Sequence, residues 1–141
     1  MSEVPPGQGQ RIAATPLVPI SWGELLDKIS ILEIKSARIT ANAALANVRA
    51  ELSQLNNVAG DMLATRADVA AIKAALRRVN EALWDIEDRI REREHAQDFG
   101  SAFIELARAV YRTNDERGAL KRRINILLGS ALMEEKHYAA Y

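Results

Sequence analysis

The most regular apolar spacing in the chain lies over residues 69–90. There Val69, Ile72, Leu76, Val79, Leu83, Ile86 and Ile90 follow one another at alternating intervals of three and four. That pattern draws a single apolar seam along one side of a helix, as in a coiled coil. It predicts a helix over about 66–95, opened by Thr65 with Asp68 and closed by "HAQDFG".

A helix is also predicted upstream. Ser21 followed by Glu24 forms a capping box, and Ile20 with Leu25 forms an apolar staple across it. From this start the reading is one helix over about 22–56, stopped by "NNVAGD". Its first half carries Leu25, Leu26, Ile29, Ile31, Leu32 and Ile34, too many for one stripe, so it should touch neighbours on two sides. Its second half is alanine-rich, with a narrower seam of Leu45, Val48, Leu52 and Leu55 that can pair antiparallel with the seam at 69–90.

A further helix is predicted over about 101–128, with Gly129 as its stop. The fold class that follows is all-α: a long antiparallel, coiled-coil-like helical hairpin with a third helix packed on its base, the alanine-rich end projecting. Residues 16–141 make one helical domain. Residues 1–15, rich in Gly, Pro and Gln, are expected to be a disordered tail. "PLVPI" at 16–20 should be extended, because proline disfavours helix in the residue before it.

One stretch breaks the rhythm. Stepping from Phe103 at helical intervals gives Ala107, Val110, Asn114, Arg117, Lys121 and Ile124, so three polar residues fall on the stripe that should face the core. Three readings stand open. Thr113 with Glu116 could restart a helix after a kink. Asn114 and Arg117 could pair with acids of other helices in a structural network. Or the polar stripe could line a pocket for a small anionic ligand, since function is one reason to tolerate buried polar groups. The candidate residues for such a pocket are Arg112, Asn114, Arg117 and Lys121, with Trp84 and Asp88 on one face of the neighbouring helix and Lys28 near the start of the first. Asp27 and Lys28 are otherwise expected to face water.

Charge and composition narrow the chemistry. Lys plus Arg and Asp plus Glu both number 19, so no basic excess is available to displace counterions from nucleic acid, which argues against that partner. "RGALKRRIN" at 117–125 does not change this, because consecutive basic residues on a helix point in different directions. The absence of cysteine removes disulfides, thiolate metal sites and thiol catalysis. His95 and His137 lie at element ends with no second histidine at helical spacing, so neither a metal nor another cofactor is expected. No apolar run reaches the length of a signal peptide or a membrane span, and the expectation is a soluble cytoplasmic protein without membrane contact. The chain has no Gly-rich phosphate loop and no nucleophile–base arrangement, so the residues name no reaction. Glu81, Asp85 and Asp88 share roughly one helical face, yet without the paired-glutamate signature of all-helical nucleotide pyrophosphohydrolases.

"PISWGELLDKISILEIK", "LWDIEDRIRERE", "FIELARAVYRTNDERGALKRRIN" and the terminal "EEKHY" resemble, in order and spacing, a bacterial family of small all-helical proteins known only as a domain of unknown function. The resemblance covers about residues 17–141 and implies a helical protein, with no catalytic residues to carry over. The functional expectation is therefore an interaction or scaffold protein that forms a homo-oligomer or docks on a protein partner. The alternative is a binder of, or enzyme for, a small anionic ligand at the three-helix base.

Overall fold

Ser21 sets the start of the first helix. Its extended backbone leaves the side-chain oxygen to accept from the Glu24 amide at 3.1 Å, as an N-cap does. The computed structural model describes residues 13–141, so most of the tail expected over 1–15 lies outside the described residues. Within them the chain is all-helical: α1 (Trp22–Arg38), α2 (Asn42–Ala59), α3 (Met62–Thr65, a single turn), α4 (Ala67–His95) and α5 (Ser101–Leu127). "PLVPI" is not helical. Ile20 stays 47% exposed while Leu25 is buried, so a staple between them removes little surface from water.

The single helix expected over 22–56 is two. Its first part ends at Ile39, whose extended backbone still donates its amide to Lys35 O at 2.9 Å. Ile39 and Thr40 are adjacent β-branched residues, which lose side-chain freedom in a helix. The chain turns there and α2 runs back along α1 rather than along α4. Leu52, Leu55 and Ala59 are thereby brought to the core, and an exposed ion pair joins Lys28 to Glu51. Gly60, at φ +59°, ends α2 in a conformation that side chains avoid. Thr65 does not cap α4. Its hydroxyl lies against Asp61 O and Met62 O, and Arg66 holds the cap position without a side-chain bond.

The long antiparallel hairpin is α4 with α5, and the helix packed on its base is α1. Ala96 closes α4 and Gln97 takes a left-handed φ of +54°. The amides of Asp98 and Gln97 then bond Arg93 O and Glu94 O, a Schellman turn with glutamine where glycine is usual. The same motif, with Gly129 at φ +58°, ends α5: Ser130 N bonds Asn125 O and Gly129 N bonds Ile126 O. Residues 130–141 then return along α5 without regular structure.

Leu25, Leu26, Ile29, Val69, Ile72, Leu76 and Ile124 form the core at the base, where the start of α1, the end of α2, the start of α4 and the end of α5 converge. The seam of α4 is accordingly closed at Val69 and Leu76 and only half-buried at Val79, Leu83, Ile86 and Ile90. The projecting end is the α4–α5 turn, not the alanine-rich segment, because α2 has folded back onto α1.

Candidate functional site

The stretch that interrupts the apolar rhythm of α5 is neither a break nor a restart, for the helix runs unbroken from Ser101 to Leu127. Its polar stripe faces α1. Arg117 donates from Nε and Nη2 to the two carboxylate oxygens of Asp27, at 3.0 and 2.5 Å. Such a two-point bond fits the planar guanidinium to the planar carboxylate. Asp27 is 1% exposed, which corrects the expectation that it faces water. Asn80 of α4 donates to Asp27 Oδ1 at 2.9 Å and to Ser30 Oγ at 2.7 Å, and the Ser30 hydroxyl donates to Asp27 O at 2.8 Å. Three helices therefore meet on one carboxylate.

One turn further along α5, Lys121 lies buried between Glu24 and Glu134, at 2.8 Å from each, and 4.0 Å from Asp27. Burial alone would pull its ammonium down. The bonds to Glu134 and Glu24, with the neighbouring charges, outweigh that and hold it above the ordinary lysine value. The bond to Asp27 likewise raises Arg117 against the opposing effect of burial. Lys121 in turn holds the Glu134 carboxyl below the usual range. Glu24 thus spends its side chain on Lys121 and not on the reciprocal half of a capping box.

Just beyond, α1 and α5 come into backbone contact. A Cβ on Gly23 would lie 2.4 Å from Lys121 O and 2.9 Å from Asn125 Oδ1. Asn125 Oδ1 accepts from the Gly23 amide at 2.6 Å and Ser130 Oγ from the Trp22 amide at 3.2 Å, while Ser21 serves Glu24. The first three amides of α1, the ones a helix cannot satisfy internally, all have partners, so none is left for an anion. Among the described residues, no buried side-chain nitrogen or oxygen lacks a hydrogen bond.

The residues singled out in the sequence fall into separate places. Arg117 and Lys121 belong to the network. Lys28 is partly exposed on the far side of α1 and pairs with Glu51, so it does not join Arg117 or Arg112. Arg112 is exposed on α5. Trp84, Asp88 and Asn114 do come together, in a cleft of about 320 Å³ where α1, α4 and α5 diverge. Ile31 and Ile34 form its α1 wall, Leu83, Trp84, Glu87 and Asp88 its α4 wall, and Val110 and Asn114 its α5 wall, with Asn80 and Arg117 where it meets the network. The guanidinium of Arg38 lies 5.4 Å from the centre of the Trp84 ring and is held there by Asp85 at 2.7 Å.

Glu24, Asp27, Ser30, Asn80, Asn125 and Glu134 are the network members that the sequence reading missed. A signal existed for one of them. Asp27 precedes Ile31 and Ile34 by four and seven positions and so shares their face of the helix, although Glu24 and Arg38 continue that face with charge.

A second groove, of about 1060 Å³, separates α5 from the returning C-terminal segment. Tyr141 bonds Asp115 through its hydroxyl and packs on Tyr111 with ring centres 4.8 Å apart. Among the described residues, no group of three or more His, Asp or Glu side chains is placed to hold a metal ion, and no helix is long and apolar enough to cross a membrane.

No curated protein and no solved structure matches the chain. Residues 17–141 match the model of a family of unknown function, DUF6165, and the chain belongs to that family.

Proposed function

We propose that the protein is a helical interaction protein that self-associates through the outer half of the α4–α5 hairpin. One observation carries this reading. The seam that is buried at Val69 and Leu76 opens toward the turn, where Ile86 and Ile90 of α4 and Phe103 and Leu106 of α5 are only half-buried. Ile104 is 53% and Phe99 48% exposed in the same region. Two such arms laid together would cover each other's apolar side as a four-helix bundle does, and a two-fold arrangement would use one surface twice.

The geometry lends no support to the anionic-ligand alternative. Arg117 and Lys121 already face carboxylates, and the start of α1 is capped.

Sedimentation velocity across the micromolar range tests self-association. The parent should shift toward a dimer as concentration rises, and Ile104→Glu should remain monomeric with unchanged helix content by circular dichroism. A parent that is monomeric throughout would refute the proposal.

A further inference from the structure

The cleft between α1, α4 and α5 has a charge pattern opposite to the one expected from the sequence. Its one cation, Arg117, is neutralised by the two-point bond to Asp27. Its two remaining charged side chains are the carboxylates of Glu87 and Asp88, both exposed on the α4 wall. Glu87 has only a loose pairing with Arg91 at 3.5 Å on the outer surface. Asp88 makes no ion pair or hydrogen bond among the described residues, and neither does the side chain of Asn114 across from it. The rest of the lining is apolar: Ile31, Ile34, Leu83, Val110 and the Trp84 ring. That ring is already steadied by the Arg38 guanidinium, so its position does not depend on an occupant.

An apolar hollow with a few convergent polar groups is the usual form of a small-molecule site. At about 320 Å³ it has room for one ring or a short alkyl chain. A helix, about 10–12 Å across with its side chains, is too wide. A neutral occupant would gain nothing from the exposed Asp88 carboxylate, an anionic one would be repelled by it and by Glu87, and a cation alone would gain from it. We infer that this cleft binds a small organic cation, an amine whose apolar body lies against Trp84, Leu83 and Val110 and whose ammonium meets Asp88, with the Asn114 side-chain oxygen as a second acceptor. The site is independent of self-association, whose exposed residues Phe99 and Ile104 lie nearer the turn.

The test is calorimetry on the full chain with three probes of one shape: phenethylamine, phenethyl alcohol and phenylpropionate. Phenethylamine should bind about two- to fivefold more tightly than the alcohol, and by a larger margin than the carboxylate, as expected of one ion pair at an exposed side chain. Asp88→Asn, a change at an exposed side chain, should abolish that preference while leaving the melting temperature in place. In a Trp22→Phe background, where Trp84 is the sole tryptophan, phenethylamine should change the fluorescence with the same midpoint. Equal binding of the three probes, no binding of phenethylamine at millimolar concentration, or a preference that survives Asp88→Asn would each overturn the assignment.

Discussion

The amide of Gly23 lies 2.6 Å from the side-chain oxygen of Asn125, across a separation of 102 residues. The contact exists because residue 23 has no side chain: the position a Cβ would take is 2.4 Å from Lys121 O. Gly23→Ala should therefore destabilise the fold. Alanine gains about 1 kcal/mol of helix propensity, but the clash is with backbone, and forcing α1 off α5 should cost more, for a net loss of about 2 kcal/mol. The midpoint of urea unfolding measures it. An unchanged or higher midpoint would mean that the close approach contributes nothing.

Asp27 and Arg117 make a sharper test. Removing the cation alone, as in Arg117→Met, strands a carboxylate that is 1% exposed and should cost about 3–5 kcal/mol. Replacing both, Asp27→Leu with Arg117→Met, should recover most of that loss, because the desolvated charge goes with its partner. Asn114→Leu should change stability little, since the Asn114 side chain takes no part in the network. A double variant no better than Arg117→Met would show that the pair is worth more than its mutual neutralisation.

Docking of residues 131–141 on α5 should depend on acid. The Glu134 carboxyl is held below its ordinary 4.5 by Lys121. A lowered folded value means the contribution is complete above the ordinary value and is lost as the pH falls through the folded one. Lys121 has the opposite sign. Its value is raised above 10.5, so its contribution persists through neutral pH and fades only as the pH climbs through the raised value. Amide exchange in the terminal segment, corrected for the intrinsic effect of pH, should accelerate on acidification below the glutamate range. In Glu134→Gln the segment should be less protected at neutral pH and lose that acid step.

Gln97 occupies a left-handed backbone position, which costs a side-chain-bearing residue about 1–2 kcal/mol. Gln97→Gly relieves that, loses the bond from Gln97 Nε2 to Glu94 O, and loosens the unfolded chain. The net expectation is a gain of up to about 1 kcal/mol, read as a higher melting temperature. A fall in melting temperature would show that the side-chain bond outweighs the strain.

Some of the architecture could be read from residue types because the cause was local. The seam from Val69 to Ile90 needs only its own spacing to announce α4, Ser21 caps the residues beside it, and Gly129 supplies the left-handed turn that ends α5. The break at Ile39–Ala41 has no comparable mark: two β-branched residues weaken a helix slightly, and what turns the chain is the burial gained when Leu52, Leu55 and Ala59 reach the core. That error displaced the hairpin, since the arm assigned to the alanine-rich segment belongs to α5. In the candidate site, Arg117 stood out because a charge on an apolar stripe is anomalous wherever it occurs. Asp27 did not, because beside Lys28 it looks like an ordinary surface pair, and Asn80 sits next to the seam with nothing to distinguish it. Their roles arise from the meeting of three helices, and no single helix encodes that.

The capping of α1 by Asn125 and Ser130 also sets an order of events during synthesis. The first turn of α1 is made early, yet two of its amides wait for partners 102 and 108 residues later. A ribosome must therefore release almost the whole chain before this helix end can be completed. Until then the apolar residues of α1 have only α2, and after it α4, to lie against, and that partial assembly must shield them while the chain is still being made.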